Sequence, residues 1–345
     1  MHPFVKACRR EPTDFTPVWL MRQAGRYMPE YRKLRARLGF LELCKNPEAA
    51  TEITLLPVER LGVDAAIIFA DILLPLEPLG VGLEFAKGEG PVIHRPVRSG
   101  DDLRRLGEVD VQSAVPFVFE AIRIVTRALD GRLPLIGFAG APFTLASYLI
   151  EGGPSSDYLH AKRLMHDEPA AWQALMEKLV AISIQYLNGQ IAAGCAAVQL
   201  FDSWVGTLSP QDYRNGVLPH TRAVIAGLTP GAPVIHFGTG TAGLLELMRE
   251  AGGDVIGLDW RVDLGEAWKR VGYDVGVQGN LDPAVLLAKP AEIRRQVQAI
   301  LARAGGRHGH IFNLGHGVLP ETPVEHVVAL VEMVHELSAR RGRGD

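Results

Sequence analysis

The chain alternates between short apolar runs and longer segments in which apolar residues recur at helical spacing. The short runs are rich in Val, Ile and Phe, which is typical of strands buried on both faces. They span residues 64–70, 133–138, 196–201, 233–237, 254–258, 275–277 and 310–312. The predicted helices span residues 113–129, 169–193, 212–226, 241–251, 264–271, 290–304 and 322–339. The strand–helix unit therefore repeats about seven times.

Strands that alternate with helices pair in parallel through right-handed crossovers. Both a closed (β/α)8 barrel and an open doubly wound sheet fit that order, and the length of the run favours the barrel, an α/β fold of the TIM type. No eighth strand is evident. Residues 82–85 and 91–95, separated by Lys-Gly-Glu-Gly, predict a β-hairpin inserted after the first strand.

The chain of 345 residues has no Pro-, Gly- or Ser-rich linker, which favours a single domain over residues 1–345. We expect residues 1–15 to form an N-terminal arm and residues 340–345 a flexible tail. Residues 133–150 lack charge but contain Pro and Gly, so they predict strand, loop and helix rather than a membrane span. No secretory segment is visible, and three widely spaced cysteines without metal-binding spacing favour a reduced, cytoplasmic compartment.

Composition and charge narrow the class of ligand. Hydrophobic residues make up 47% of the chain and charged residues 22%, which fits a globular protein with a large core. The net charge of −3 gives no case for nucleic acid. Residues 1–40, however, carry nine Lys or Arg against three acidic residues, so we expect an anionic ligand near this end.

The site of a barrel forms at the carboxyl ends of its strands, so polar residues directly after each apolar run are candidates. They are Asp71, Asp202, Ser203, His236, Asp259, Asn280 and His316. For each of them, a helix cap or a structural hydrogen bond is at least an equal alternative. Asp282, which precedes Pro283, is expected to be a helix cap.

Asp71 differs from the other candidates because apolar residues flank it and no helix is predicted to start after it. A buried, ionised carboxylate is costly unless it accepts several hydrogen bonds, so a ligand with several donors would explain it. The alternative is an ion pair with Arg22 or Arg26. These two arginines would share one face if their segment were helical, and guanidinium groups match carboxylates in a bidentate manner. They predict an anionic ligand, with surface or interface arginines as the alternative.

Two further sequence patterns are weaker indications of a ligand site. Residues 238–243 match G-x-G-x-x-G after a strand, but several strand–helix units precede them, whereas a dinucleotide fingerprint normally lies in the first. A tight turn with an exposed helix N-terminus is the better interpretation. His308 and His310 could bind a metal, but no third ligand is marked, so turn and strand residues are favoured.

Several long motifs resemble one known family, the uroporphyrinogen decarboxylases. Residues 17–31 (PVWLMRQAGRYMPEY) and 137–152 (GFAGAPFTLASYLIEG) are similar to two signatures of that family. Three shorter motifs, at residues 64–73, 199–204 and 313–317, occur in the family's order. The resemblance covers essentially the whole chain, and signatures of this length are far more specific than a glycine pattern.

The resemblance implies a single, somewhat irregular (β/α)8 barrel and a homodimer whose active-site clefts face each other. It implies a carboxy-lyase that converts the four acetate side chains of uroporphyrinogen III, an anionic tetrapyrrole, to methyl groups. The products would be coproporphyrinogen III and four molecules of carbon dioxide, in haem biosynthesis. No cofactor or metal is implied, and no nucleic acid or membrane partner is expected.

The resemblance also carries roles over to residues at matching positions. Asp71 would accept the pyrrole N–H groups and stabilise developing positive charge, Arg22 would orient the departing acetate, and Tyr148 would hydrogen-bond to it. These three are the expected catalytic residues. The expected substrate-binding residues are Arg22, Gln23, Ala24, Gly25, Arg26, Asp71, Tyr148, Phe201, Ser203 and His316.

Three other functions stay open. Corrinoid or thiol methyltransferases of the same superfamily bind zinc through a His-x-Cys pair and a later Cys, whereas this chain has His236-Phe-Gly238 and no later Cys. A non-catalytic tetrapyrrole carrier would keep the arginines and the aspartate. A nicotinamide-dependent oxidoreductase would depend on residues 238–243 alone.

Overall fold

The computed structural model of the chain describes residues 1–86 and 90–340. Its strands are β1 (Ala66–Ile67), β2 (Leu83–Ala86), β3 (Gly90–Ile93), β4 (Leu135–Gly140), β5 (Ala197–Asp202), β6 (Val234–Gly238), β7 (Val255–Gly257), β8 (Gly276–Gln278) and β9 (His310–Ile311). Its α-helices are α1 (Pro3–Cys8), α2 (Pro29–Arg37), α3 (Phe40–Lys45), α4 (Pro47–Leu61), α5 (Gly100–Leu103), α6 (Val111–Ala114), α7 (Pro116–Leu129), α8 (Pro142–Glu151), α9 (Leu159–Asp167), α10 (Pro169–Ala193), α11 (Pro210–Gly216), α12 (Leu218–Ala226), α13 (Leu245–Ala251), α14 (Leu264–Val271), α15 (Pro290–Ala304) and α16 (Val324–Ser338). Short 3₁₀ helices span Leu74–Leu79, Val205–Thr207 and Pro283–Leu287.

Seven strands pair in parallel in the order β1-β4-β5-β6-β7-β8-β9, with helices between them along the chain. This confirms the predicted α/β class and the parallel pairing. β2 and β3 form the predicted antiparallel hairpin after the first strand. Part of its connection, residues 87–89, lies outside the described residues, as does most of the predicted C-terminal tail, residues 341–345.

Helix bounds agree with the sequence pattern except where proline or a turn interrupts it. α10, α14 and α15 begin and end at the predicted residues. The predicted helix over residues 212–226 is instead two helices that meet at Val217, because Pro219 lacks the N–H group needed to continue a helix through this point. Residues 133–150 form β4, a turn and most of α8, as predicted. Within the described ranges, no helix is both long enough and apolar enough to cross a membrane.

The place of the missing eighth strand is taken by residues 17–19, near the start of the chain. On one side, the Phe312 N–H donates to the Pro17 carbonyl at 2.8 Å, beside a parallel bridge between Val18 and Phe312. On the other side, the Asp64 N–H donates to the Val18 carbonyl at 2.8 Å. The Val18 N–H in turn donates to the Asp64 carboxylate at 2.7 Å. This segment therefore bridges the β9 and β1 edges of the sheet.

The N-terminal segment, expected to be an arm, contains α1, whose apolar face is buried. Phe4 is fully buried in a cluster with inward-facing residues of the strands, among them Ile136 and Ile235. Arg9 donates to the Gly231 carbonyl at 2.8 Å, just before β6 begins. α1 therefore covers the amino-terminal end of the strands, opposite the end at which a site is expected.

A line of polar side chains crosses the interior of the sheet. The Trp19 indole N–H donates to Gln278 on β8 at 2.9 Å, and the Gln278 amide donates to Gln199 on β5, also at 2.9 Å. All three side chains are buried. Because a buried polar group without a partner is costly, this line fixes the bridging segment relative to two strands.

Replacing Phe4 tests whether α1 is part of the folded core. We expect Phe4→Ala to lower the free energy of unfolding by about 3 to 5 kcal/mol, because the substitution leaves a cavity in the buried hydrophobic cluster around Phe4. Urea denaturation measures the difference. Leu287→Ala is the control, since Leu287 is half exposed and should change the value by less than about 0.5 kcal/mol. Equal effects of the two substitutions would show α1 to be a dispensable arm.

Candidate active site

The candidate residues follow the carboxyl ends of neighbouring strands and therefore lie at one end of the sheet. Asp71 follows β1, Tyr148 lies on α8 directly after β4, and Ser203 follows β5. His316 follows β9, and Arg22 follows the bridging segment. The structure thus brings together residues that are up to about 290 positions apart in the sequence.

The Asp71 side chain is partly buried, and its carboxylate has few partners among the described residues. Its Oδ1 accepts the Leu73 N–H at 2.8 Å, and a 3₁₀ helix begins at Leu74. The expectation that no helix starts after Asp71 is therefore wrong, because prolines at 75 and 78 favour a tight 3₁₀ turn over a full helix. Burial raises the pKa of Asp71 to about 6, although the Leu73 N–H and the Arg22 charge act in the opposite direction.

The alternative of an ion pair at Asp71 is not observed. Among the residues that the structure describes, neither Arg22 nor Arg26 forms a salt bridge within 4.0 Å of a carboxylate oxygen. Arg22 is close enough to lower the pKa of Asp71 and is exposed. The Arg22 guanidinium and the partly buried Asp71 carboxylate therefore lie near each other without forming a salt bridge.

Residues 19–27 form a loop with turns, so the helical arrangement considered for Arg22 and Arg26 is wrong. Arg22 has a φ of +60°, a left-handed conformation that does not fit a helix. Two glycines permit the loop to lie where it does. A Cβ on Gly317 would come within 2.7 Å of the Arg22 Cγ, and one on Gly25 within 2.9 Å of the Arg22 carbonyl oxygen. The Arg22 stem therefore lies directly against Gly317.

Gln23 holds this loop from inside the protein. Its side chain is fully buried, accepts the Leu20 N–H at 3.1 Å and donates to the Ala65 carbonyl, also at 3.1 Å. The Gln23 amide is therefore used within the protein. The neighbouring Ala24 and Gly25 are partly exposed, and their backbone N–H groups have no acceptor within the described residues.

Tyr148 lies beside an aromatic pair that the sequence did not mark. Its ring packs edge to face on Trp204 with centroids 6.0 Å apart, and Tyr158 packs on Trp204 with centroids 5.6 Å apart. Burial, together with the charge of Asp71, raises the pKa of Tyr148 to about 12. Tyr148 is therefore a neutral phenol at physiological pH and can donate a hydrogen bond.

The end of β5 contributes an apolar surface and a hydroxyl group. Phe201 packs edge to face against Phe138 and Phe237, with centroids 5.6 and 5.8 Å away. Ser203 is partly exposed, and its carbonyl accepts the Thr239 hydroxyl. The aromatic cluster at Phe201 excludes water from this side of the site.

His316 lies between two cationic side chains. Burial and the charges of Arg22 and Arg261 lower the pKa of His316 to about 4, so the imidazole is neutral at physiological pH. Sequence analysis did not single out Arg261. A signal that could have found it is its place in the segment after β7, two positions after Asp259.

The other polar residues at strand ends contact polar groups within the protein. The Asp202 carboxylate and the His236 imidazole are fully buried 3.5 Å apart, and Thr144 on α8 donates to Asp202 at 3.4 Å. Asn280 donates to the Asp259 carbonyl at 2.9 Å. Asp282 accepts the Ala284 N–H, which confirms the predicted cap.

The glycine motif at 238–243 serves close packing. The Gly240 N–H donates to Asp259 at 2.6 Å, and a Cβ on Gly206 would come within 2.8 Å of the Gly240 backbone. α13 begins only at Leu245, so no helix N-terminus follows the motif directly. The predicted turn is confirmed, but the expected helix N-terminus at this turn is wrong, and the dinucleotide interpretation has no geometric support.

The two histidines near β9 have other partners. His310 is buried, and its Nε2 contacts the Gly279 carbonyl at 2.9 Å, while His308 contacts the Arg340 guanidinium. In residues 1–86 and 90–340, no group of three or more His, Cys, Asp or Glu side chains is arranged to hold a metal ion.

Comparison with known proteins identifies close relatives. The family model described as uroporphyrinogen decarboxylase matches residues 1–337. Curated proteins named uroporphyrinogen decarboxylase include one from Sorangium cellulosum, 58% identical over 99% of this chain and 98% of its own length. Another, from Carboxydothermus hydrogenoformans, is 59% identical over 97% and 96%. Among solved structures, a methyltransferase from Methanosarcina mazei has a TM-score of 0.82 at 21% identity, covering 97% of both chains, which shows a shared fold.

The raised pKa of Asp71 predicts that its charge destabilises the folded protein. The protonated form is favoured in the folded state, so the penalty is complete above pH 6 and absent below the pKa of about 4 of the unfolded chain. We expect Asp71→Asn to raise the free energy of unfolding by about 3 kcal/mol at pH 7.5 and by roughly half of that at pH 5. Urea denaturation at both pH values measures this.

Asp282→Asn is the matched control for that measurement, because asparagine keeps the capping oxygen and should change stability little at either pH. A destabilising effect of Asp71→Asn, or an effect that is the same at both pH values, would show that the pKa of Asp71 is not raised in the folded protein.

Proposed function

The chain belongs to the uroporphyrinogen decarboxylase family, and we propose that it decarboxylates uroporphyrinogen III with Asp71, Arg22 and Tyr148 at the reacting ring. Each of the four acetate side chains becomes a methyl group, and the product is coproporphyrinogen III. The observation that supports the assignment of residues is the partly buried Asp71 carboxylate, which has no ion-pair partner in contact among the described residues and lies near the Arg22 guanidinium.

The chemistry of the substrate complements that of the site. A porphyrinogen is flexible and carries eight carboxylates around its edge and four pyrrole N–H groups toward its centre. Several N–H donors on one carboxylate compensate for the burial of Asp71. The guanidinium groups of Arg22 and Arg26 can pair with carboxylates, and the N–H groups of Ala24 and Gly25, which have no acceptor among the described residues, can add hydrogen bonds to them. Gln23 would contribute by holding this loop in place.

Loss of carbon dioxide needs an acceptor for the electron pair of the broken carbon–carbon bond. Protonation of the pyrrole carbon next to the acetate-bearing carbon makes the ring a cationic, iminium-like acceptor. The electron pair then enters the ring as carbon dioxide leaves, which makes a neutral ring with an exocyclic methylene. Protonation of this methylene carbon gives the methyl group, and loss of the proton from the ring carbon restores the pyrrole. In total, one proton is taken up for each carbon dioxide released, and the electron acceptor is the substrate itself.

Asp71 would act on the charge that develops during this step. A carboxylate fixed in a low-dielectric site stabilises the cationic ring more than the neutral ground state, so it lowers the barrier. Arg22 would hold the reacting acetate as a carboxylate until it departs. Tyr148, a neutral phenol, and the Ser203 hydroxyl would hydrogen-bond to the acetate or to a neighbouring carboxylate.

The remaining residues would shape and orient the pocket. Phe201 would form an apolar wall against a pyrrole ring, since its aromatic cluster keeps water away from that side. The neutral imidazole of His316 would donate a hydrogen bond to a propionate. Neutrality does not prevent this, because one ring nitrogen of a neutral imidazole always carries a proton.

The resemblance to the family also supports proposals about the assembly. We propose that the chain is a single domain over residues 1–345 and a homodimer with facing clefts. We further propose that it works in the cytoplasm, without cofactor or metal and without nucleic acid or membrane partners.

A direct assay tests the reaction. Purified protein is incubated anaerobically with uroporphyrinogen III and a chelator, and product masses are followed after oxidation. We expect stepwise loss of four carbon dioxide units from each substrate molecule. Asp71→Ala should reduce kcat by at least about 10²-fold while substrate still binds, because it removes charge stabilisation in the transition state.

Two results would contradict this function. No loss of mass with folded wild-type protein that binds substrate would favour the carrier, and activity that disappears with chelator would favour a metal-dependent methyltransferase-like enzyme. An Asp71→Ala enzyme with unchanged kcat would overturn the role of the carboxylate while leaving the reaction in place.

The pH dependence of the same assay reports on Asp71. Between pH 5 and 8 it is the group at the site expected to titrate, because the pKa values of His316 and Tyr148 are moved to about 4 and about 12. Protonation removes the negative charge, so kcat/KM should fall as the pH drops below about 6. The fall in kcat should come at lower pH, since bound N–H donors favour the carboxylate. A constant kcat/KM down to pH 5 would be inconsistent with this role.

A further inference from the structure

We propose that Arg261 is an additional substrate-binding residue, which contacts a propionate carboxylate that does not react. The inference extends the proposed function by one residue that neither the sequence motifs nor the comparisons assign. Three features of Arg261 support this role: its fixed orientation, its position beside His316, and its guanidinium donors that have no acceptor among the described residues.

Arg261 is held in a fixed orientation by its neighbours. Its Nη1 donates to the Asp259 carboxylate at 2.8 Å, and its own backbone N–H donates to the other oxygen of that carboxylate at 3.0 Å. The guanidinium carbon lies 3.9 Å from the centroid of the Trp260 ring, which is a stacked arrangement. A guanidinium held by one edge and one face loses little conformational entropy when it binds a ligand.

Asp259 is built to anchor this arginine. The carboxylate is 1% exposed and accepts three hydrogen bonds, two from Arg261 and one from the Gly240 N–H at 2.6 Å. Its charge is therefore satisfied from inside the protein. In contrast, the Arg261 side chain is 52% exposed, and its Nε and Nη2 have no acceptor among the described residues. These are the groups that a carboxylate binds in a bidentate manner.

The loop after β9 places Arg261 and Arg22 on either side of His316. A Cβ on Gly315 would come within 2.9 Å of the Asp259 carbonyl carbon, so this glycine lies against the backbone that leads into Arg261. Gly317 lies against the Arg22 stem. Both arginine charges lower the pKa of His316, as expected for guanidinium groups that border the same imidazole. Arg261 thus belongs to the site rather than to the outer surface.

The position of Arg261 identifies the class of carboxylate. The reacting acetate is assigned to Arg22 and Tyr148, and the pyrrole N–H groups are assigned to Asp71, so Arg261 is left for a carboxylate elsewhere on the ring. Acetates disappear one by one during the reaction, whereas all four propionates persist to the product. A fixed cation that serves every step therefore binds a propionate.

The test compares Arg261→Gln with Arg261→Lys and with a matched control, Arg294→Gln. Arg294 is also held by a single carboxylate, that of Glu336, but the pair joins α15 to α16. We expect Arg261→Gln to raise KM for uroporphyrinogen III about tenfold with kcat within about twofold, as for the loss of a charge-assisted hydrogen bond. Arg261→Lys should lie between it and the wild type, and Arg294→Gln should leave both constants unchanged.

Coproporphyrinogen III, which keeps only propionates, serves as the second probe. We expect Arg261→Gln to weaken its binding, followed by tryptophan fluorescence, by the same factor as KM. Unchanged KM and unchanged product binding would overturn the inference, as would a fall in kcat alone, which indicates a structural role. A higher KM with unchanged product binding would assign Arg261 to an acetate and overturn the propionate contact.

Failure of the proposed function is distinguishable from failure of this inference. A wild-type protein that binds coproporphyrinogen III but releases no carbon dioxide would refute the decarboxylase. Weaker binding of the same compound by Arg261→Gln would still support the contact at Arg261.

Discussion

The hydrogen bonds on the two sides of Val18 are the constraint on which the rest of the structure depends. They tie the bridging segment to Phe312 on one edge of the sheet and to Asp64 on the other. The loop that follows is fixed in turn, because the Met21 N–H donates to the Asn313 side chain at 3.1 Å and its carbonyl accepts the Val318 N–H at 2.9 Å. Arginines from the start of the chain are thereby brought beside residues from its end.

The fold could largely be predicted because buried parallel strands and their helices leave strong patterns. α10, a helix of 25 residues, and the seven strands follow from apolar runs and helical spacing. The eighth position could not be predicted in the same way. Residues 17–19 contain a single bridge residue and a proline, so their pairing is set by the two edges they meet and not by local propensity. The split at Val217 was missed because the periodicity continues through it.

The site could be predicted where the local sequence places a charged side chain among apolar residues, since burying such a side chain costs free energy. Asp71 stands between apolar runs, and Arg22 lies within the signature motif at residues 17–31, so both could be proposed from the sequence. The sequence does not distinguish a strand-end residue that faces the site from one that faces the helices, because successive residues of a strand point to opposite faces. Asp202 and His236 are examples of residues that face the helices. Arg261 was missed for a related reason. Its significance comes from the stacking and anchoring of its guanidinium, which are tertiary contacts.

The bridge between the two ends of the chain also bears on how the protein is made. Met21 and Asn313 are 292 positions apart, so the contact between them cannot form before residue 313 has been synthesised. Until then, β1 and the growing edge of the sheet lack their final partners, and unpaired strand edges can associate with other chains. The loop that carries Arg22 and Arg26 likewise lacks its hydrogen bonds to Asn313 and Val318 until that point of synthesis.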